Sequence, residues 1–486
     1  MEGVGRIRLP THRPGTKMNM SKHNRKNGCR GIGIFGANVG NGNLGDEATF
    51  EVVLNAIRRK FDQGNVYAIC SNPDDTEKRY HITAFPIGIR RKSKKQLVPG
   101  SVDNFRGQEI KIQERLVSVI KERLRRKRLV FVPLKSAYAV FSGFVNGVFQ
   151  FGRELGFYVR AVNFVRKLQL FVFAGSGALS DHYGGPMNFP YSVFKWSVLA
   201  KLAGSKIAFV SVGAGPIDFT SSKLLLKCAL SIADYRSFRD QDSKKMIERL
   251  GLKGTNLVFP DLVQGLKIGG SRKPDNKSVK NVVGINPFPH YWNSRDPVSY
   301  ERYVEKIALF ASWLLENRYR VVLFPTHLRG DSRVIDDIRR KIINDLRQEY
   351  EVDPLEISIQ SISDLVNQIS VLDLVVATRF HGIMLSFLLN KPVIGISNQP
   401  KMDSLMKDMG QEGYLFDLES FDVETLKQRF LVLEANGDRI KRTLKPIISG
   451  YREALKKQYE EVFKLVNKFG KVPCNDCNTN RLNFER

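Results

Sequence analysis

Three side chains able to handle an anion and move a proton lie close together in DLVVATRFHGIMLSFLLNKPVIGISNQPKMDSLMKDMG, residues 373–410. Arg379 offers a bidentate fork for phosphate or carboxylate. His381 can carry a proton near neutral pH, and Lys401 adds a point charge. The apolar run Leu374 to Ala377 reads as a buried strand, followed by a helix over 380–389 that Asn390 and Lys391-Pro392 stop. Val393 to Ile396 is the next strand. Thr378, Arg379, Phe380 and His381 therefore sit at a strand-to-helix turn, where unpaired backbone N–H groups favour negative charge. Lys401 follows the next strand and reaches the same mouth. Each residue alone has a plainer reading as a hydrogen-bonded structural group. Their coincidence at adjacent strand ends points to a site for an anion.

Other strand ends carry matching residues. In SFRDQDSKKMIERLG, Arg239 ends a strand, and Asp242 or Ser243 can cap the following helix. FPTHLRGDS places His327 and Arg329 after a strand, with Asp331 opening a helix. VSVGAGPI places Gly213 and Gly215 at a further turn. Such ends together would surround a small, multiply charged anion.

The glycine-rich stretch GIGIFGANVGNGNLGDEA, residues 31–48, looks like a nucleotide site and is not one. In a dinucleotide fingerprint the glycines form the turn after a strand. Here Gly31 to Gly36 alternate with Ile32, Ile34 and Phe35 inside the strand. A phosphate-binding loop needs Lys-Ser/Thr after its last glycine; this chain has Asp46-Glu47, which would repel phosphate. These acids suit a helix start, with Ala48, Val52, Val53, Ala56 and Ile57 as its apolar face. The glycines allow close backbone approach, either to a polar acceptor in a cleft or to another loop. Asn43, Asp46 and Glu47, with Gly175 and Ser176 after the run LQLFVFA, are the candidate acceptor-side groups.

Two series of short apolar strands alternate with amphipathic helices. The first runs through GIGIFG, NVYAIC, LQLFVFAG, KIAFVSVG, DYRSFRD and NLVFPDLV; the second through VVGINPF, YRVVLFPTH, LEISIQ, DLVVATRF and KPVIGIS. This pattern predicts two doubly wound α/β domains with parallel sheets, facing each other across a cleft. Ligands of such sheets lie beyond the carboxyl ends of the strands. The expected domains are 29–266 and 282–440, joined by a polar linker at 267–281. A basic arm (1–28) that reads as disordered precedes them. A helical segment (441–470), broken near Pro446 and Gly450, and a tail (471–486) follow.

The 486-residue chain carries a net charge of +28, which implies an anionic partner. From Lys121 to Lys167 the only acids are Glu122 and Glu154, and apolar residues interleave with the basic ones. Segment 121–168 therefore reads either as lying on an anionic membrane surface or as two buried helices whose basic residues face water. Its longest uncharged run, 136–152, is short for a spanning helix and holds three glycines. No apolar core of a signal peptide occurs near the N-terminus. The five cysteines are scattered and suit a reducing compartment. Cys474 and Cys477 form one CxxC pair without two further ligands, so no metal site is expected. No nucleic-acid motif is recognisable.

The motifs GNLGDEA, SVGAGP, SFRDQDS, TRFHG and NQPKMDSLM, in this order, resemble those of the polysaccharide pyruvyl transferases. The resemblance covers about residues 31–415. It implies a GT-B-like fold and transfer of the enolpyruvyl unit of phosphoenolpyruvate onto two sugar hydroxyls as a ketal. It maps the family's arginine–apolar–histidine motif onto Arg379, Phe380 and His381, its lysine onto Lys401 and its strand-end arginine onto Arg239. Phe380 stands where leucine is common. On this reading Arg379, His381 and Lys401 are catalytic; Arg239, Phe380, Gly213 and Gly215 join them around the donor. His327 and His290 are the next candidate acids. No cofactor or metal is implied. The partners are phosphoenolpyruvate, a saccharide acceptor that is free or lipid-linked, and an anionic membrane surface, with no nucleic acid. A cytoplasmic location, peripheral on the membrane, follows. Two other readings fit less of the chain: a GT-B glycosyltransferase using a nucleotide sugar, and a non-enzymatic basic protein on membrane or nucleic acid.

Overall fold

The computed structural model describes residues 30–61, 65–89, 152–175, 177–182, 184–268, 282–289, 297–345 and 356–467. The basic arm 1–28, the part of segment 121–168 before residue 152, most of the linker 267–281, the tail 471–486 with Cys474 and Cys477, and Ser176 and His290 lie outside them.

Seven parallel strands form the first sheet: β1 (Gly31–Gly36), β2 (Val66–Cys70), β3 (Thr83–Pro86), β4 (Leu168–Ala174), β5 (Lys206–Val212), β6 (Tyr235–Phe238) and β7 (Leu257–Val258), in the order β3-β2-β1-β4-β5-β6-β7. The second sheet has β8 (Val282–Asn286), β9 (Arg320–Leu323), β10 (Leu374–Ala377), β11 (Val393–Ser397) and β12 (Leu415–Asp417), in the order β12-β11-β10-β8-β9. Central strands are buried on both faces, as in β8, β10 and β11, where every residue is buried. That explains their unbroken apolar runs. Both sheets are doubly wound, the GT-B-like arrangement expected from the sequence.

The helices are α1 (Leu44–Lys60), α2 (Pro73–Tyr80), α3 (152–165), α4 (Phe189–Leu202), α5 (Thr220–Ser231), α6 (Gln241–Glu248) and α7 (Pro297–Glu316). They continue with α8 (Ser332–Arg340), α9 (Ile362–Ser370), α10 (Phe380–Leu388), α11 (Pro400–Asp408), α12 (Val423–Ala435) and α13 (Gly437–Asn467). Residues of α3 to α6 share one core with one face of the first sheet. A second core is continuous from the other face of that sheet, through α1 and α13, into the second domain. The two domains therefore meet over apolar surface, with α1 packed against α9.

Two sequence expectations are corrected, and two strands appear that the sequence pattern did not mark. Residues 356–360 of LEISIQ join no ladder; Ile357 N donates to the Gln368 side chain and Gln360 N to Asp364, so local side chains take the place of a strand partner. The edge strands β3 and β12 are short and partly exposed, without the apolar run that marks a buried strand. The C-terminal helix does not break near Pro446 and Gly450 but runs through both. Proline there removes one N–H of the helix ladder, and tertiary packing keeps the rest. Helix α13 returns to the first sheet, where Gln458 donates to Ser211 Oγ (3.0 Å) and Ser237 Oγ (2.7 Å) inside the core. Ser211 adopts a left-handed φ of 47° beside the irregularity between β5 and β6. The pin on Gln458 thus holds the strand ends that carry Gly213 and Arg239.

In each sheet the strand order reverses once, between β1 and β4 and between β8 and β10. The crevice at such a point collects ligands. The turn into α1 and the turn into α10 leave these two points, and they face each other.

Candidate functional site

On the first domain, Asn43 caps α1, its Oδ1 accepting from Gly45 N and Asp46 N at 3.2 and 3.4 Å. Its amide and that of Asn38 both donate to Asp46 Oδ2, at 2.8 and 3.0 Å, so the carboxylate is aimed rather than free to turn. Gly40 and Gly42 have φ of 83°, a left-handed turn that suits glycine. The turn is clamped to the second domain: Leu44 N donates to Thr326 O (3.0 Å) and Leu328 N to Gly42 O (2.8 Å). Against this clamped turn lies His381. A Cβ on Gly45 would fall 2.0 Å from His381 Nδ1 and 2.1 Å from its Cγ. Gly45 is therefore the seat of the imidazole. Gly42 and Gly45 thus lie against Leu328 and His381 of the second domain, a close loop approach of the kind the sequence left open, while Gly40 packs on Asn72 of its own domain.

On the second domain, Arg379 is the N-cap position of α10, and no side chain caps that helix. The Arg379 guanidinium forms an ion pair with Asp331 and lies 4.6 Å over the Phe288 ring. Asp331 is fully buried, and its other oxygen accepts from Thr326 N and His327 N, both at 2.9 Å. It does not cap α8 with its side chain, as its place in the sequence suggested. It anchors Arg379 instead. Tyr303 completes the support: its hydroxyl lies 3.0 Å from Thr378 Oγ1 and accepts from Phe288 N at 3.0 Å.

Arg239, the strand-end residue after β6, passes over Gly213, where a Cβ would fall 2.6 Å from its Cζ. Asp240 (3.2 Å) and Asp261 (3.5 Å) hold its guanidinium. Asp240, rather than Asp242 or Ser243, caps α6, accepting from Ser243 N. Phe380 gathers the cations: Arg239 lies 5.0 Å and Lys401 5.2 Å from its ring centroid, within cation–π range. The His381 ring meets Phe380 edge-on at 5.3 Å.

The cleft perturbs its own titrations. Burial, then Lys401, Arg239 and Arg379, push the His381 imidazolium down to about 3, so the imidazole is neutral while the site is empty. Burial and Arg239 push Lys401 down to about 8, against the opposing pull of Asp46 and Asp261. Burial raises the carboxyls of Asp46 and Asp261, opposed by the cations beside them. Shifts from burial plus specific partners in a cleft mark functional sites.

The structure brings together Arg239, Gly213, Arg379, Phe380, His381, Lys401, Asn43 and Asp46. It sets others apart. Glu47 is buried in an ion pair with Arg79 of α2 (2.7 Å). Gly175 is filled by packing, since a Cβ there would meet Ser211 O at 2.6 Å. Gly215 lies against Ser180 rather than Arg239. His327 Nδ1 accepts from Gly330 N (3.0 Å), committing that nitrogen to the clamping loop. Sequence reasoning missed Gly45, Phe288, Asp240, Asp261 and the anchoring role of Asp331. A carboxylate directly after Arg239 and another shortly after β7 were the only signals available.

Comparison with known proteins bears on the family and the fold. The sequence model of a family described as polysaccharide pyruvyl transferase matches residues 43–400. No curated protein matches significantly. Among solved structures, a MnaA–UDP co-structure from S. aureus is similar at 10% identity and TM-score 0.52, over 90% of this chain and 97% of that one. A UDP-N-acetylglucosamine 2-epimerase, described as putative, from Listeria monocytogenes is similar at 11% identity and TM-score 0.51, over 89% and 97%. The UDP-GlcNAc 2-epimerase of Neisseria meningitidis gives 13%, 0.50, 90% and 99%. These likenesses concern the fold.

Proposed function

The chain belongs to the polysaccharide pyruvyl transferase family, and from that premise we propose that it moves the enolpyruvyl unit of phosphoenolpyruvate onto two hydroxyls of a saccharide, forming a pyruvyl ketal and releasing phosphate. The observation that carries the donor assignment is the convergence of Arg239, Arg379 and Lys401 around Phe380, beside His381. Phosphoenolpyruvate has a carboxylate and a phosphate, and each charge-assisted hydrogen bond contributes about 1.5–3 kcal/mol. The uncapped start of α10 adds backbone donors.

The chemistry then assigns roles. A proton goes to the methylene carbon, leaving cationic character on the adjacent carbon. One acceptor hydroxyl attacks that carbon and loses its proton. The second hydroxyl displaces phosphate, which leaves with the remaining proton. His381 is the proton donor: neutral in the empty cleft, it charges when the donor's anionic groups offset the three surrounding cations. Asp46, aimed by Asn38 and Asn43, takes the hydroxyl proton. Arg239, Arg379 and Lys401 neutralise the departing phosphate.

Part of the basic segment is described. Helix α3 exposes Leu155 and Val159 beside the exposed Arg153 and Arg160. Among the described residues no helix is long and apolar enough to cross a membrane. We extend the proposal to peripheral attachment at an anionic cytoplasmic membrane face, where a lipid-linked acceptor would be met.

Calorimetry with phosphoenolpyruvate and UDP-N-acetylglucosamine tests the donor. Binding of the first alone is expected; tight binding of the second with none of the first would overturn the assignment.

A further inference from the structure

A cavity of about 230 Å³ opens between the domains beside Phe380, bounded by the loops after β6 and β7, by α10, α11 and α13. Arg239, Lys401 and Phe380 form the wall it shares with the reaction site. Asp240, Asp261 and Asp408 add three carboxylates, groups that accept hydrogen bonds from hydroxyls. Apolar surface comes from Phe259, Pro260, Met384 and Leu405, with Tyr451 beside them.

Gln264 supplies an independent sign of a ligand. Its side chain is about 1% exposed and lines the cavity, yet its Oε1 has no hydrogen-bond partner. A buried amide oxygen left unpaired is costly, and such atoms call for an explanation. A hydroxyl donor in the cavity provides one. Ser404, at the rim, donates to Asp242 across the domain boundary (2.9 Å), so the two domains enclose the space jointly. The cavity volume equals roughly seven or eight water molecules at ~30 Å³ each, a single-ring occupant.

We propose that this cavity is the acceptor subsite: it takes one neutral pyranose ring, whose hydroxyls donate to Gln264 and to the carboxylates while its faces rest on the apolar wall. Two hydroxyls of that ring then project past Phe380 to the donor. This places the acceptor deeper toward α13 than Asn43 and Glu47 would, and keeps Asp46 between the two substrates, where Lys401 and Asp261 act on its charge. The inference rests on the pyruvyl-transfer reading.

The test uses saturation-transfer NMR on the full chain with the methyl glycosides of glucose, galactose, mannose and N-acetylglucosamine, alongside calorimetry with phosphoenolpyruvate. Gln264→Leu removes the orphaned amide at similar volume, and Asp408→Ala changes an exposed residue that the fold does not need. Binding of at least one glycoside is expected, weakened at least tenfold in each variant, with phosphoenolpyruvate affinity unchanged within twofold. Glycoside binding by none of the four, or equal binding to all three proteins, overturns the subsite. Loss of phosphoenolpyruvate affinity in the variants overturns it too, by making the cavity the donor site. If the parent binds a glycoside through Gln264 and Asp408 but never binds phosphoenolpyruvate, the subsite stands and the donor assignment falls.

Discussion

Substituting alanine for Gly45 tests the contact on which the cleft is built. Gly45 lies in the first turn of α1 without a positive φ, so its backbone alone gives no reason for glycine. Helix propensity favours alanine by up to ~1 kcal/mol. The new Cβ, however, would lie 2.0–2.3 Å from three atoms of the His381 ring. The ring or the helix must then move by about 1 Å. The helix cannot move freely, because Leu44 and Gly42 are hydrogen-bonded to the loop of Thr326 and Leu328. The ring cannot retreat freely, because it also packs edge-on against Phe380. Overpacking of this kind costs about 1–3 kcal/mol, which outweighs the propensity gain.

Gly45→Ala should therefore lose up to about 2 kcal/mol of stability, the clash less the propensity gain. A displacement of ~1 Å at a reacting group should lower turnover about 10²-fold. In a chain that already carries His381→Ala the clash is absent, and Gly45→Ala should be neutral or stabilising by up to ~1 kcal/mol. The coupling energy of the cycle is then about 1–3 kcal/mol. Urea unfolding of the four proteins measures it, and phosphate release from phosphoenolpyruvate measures turnover. Coupling below ~0.5 kcal/mol, the level of independent sites, or parental turnover in Gly45→Ala, would refute the reasoning.

The other expectations concern charge. His381 is neutral in the empty cleft, so phosphoenolpyruvate binding at pH 7 should take up more protons in the parent than in His381→Ala, by up to about one; calorimetry in buffers of different ionisation enthalpy reads this, and an identical count sinks the proton-donor role. Lys401 is depressed to about 8: below that pH the folded state holds its proton against burial, and stability rises as pH climbs from about 8 toward the unfolded value near 10.4. Lys401→Met should thus be more stable than the parent at pH 7 and lose that advantage by about pH 10, as urea unfolding at both pH values would show. Asp331→Ala leaves Arg379 without its buried carboxylate and should cost about 3–5 kcal/mol; a loss under ~1 kcal/mol by the same measurement would mean that Asp331 is not the anchor.

Much of the fold was legible because its signals are local. Leu374 to Ala377, Phe380 to Leu388 and Asn390 can be read from apolar runs and a stop residue, and Asn390 indeed turns left-handed with φ of 57°. Arg379, His381, Lys401 and Arg239 follow from knowing which end of a strand carries the next turn. Short edge strands such as Leu415–Asp417 lack that signal, since a half-exposed edge needs no apolar run. Pro446 misled because propensity reports the isolated helix, whereas α13 is held by its packing on the first sheet. The carboxylate partners were hidden for another reason. Periodicity tells which face of an element is covered but not by what, so nothing local joins Asp331 to Arg379 or Gly45 to His381.

These carboxylates explain how three cations share one cleft before any anion arrives. Asp331 holds Arg379, Asp240 and Asp261 hold Arg239, and Asp46 faces Lys401. Three of the four are themselves fixed by backbone donors: Ser243 N to Asp240, Val263 N to Asp261, and Thr326 N and His327 N to Asp331. The arginines therefore pivot on rigid anchors. An incoming anion adds to a nearly balanced array rather than filling a bare positive hole. Its gain is then a difference between hydrogen-bond partners, which moderates its affinity. On the proposed reaction, which releases phosphate in every cycle, that moderation serves turnover. It also accounts for the low proton affinity of His381: with these carboxylates turned to the arginines and to Asn38 and Asn43, none of them pairs with the imidazole, and on the proposed reaction the donor's own charge raises it.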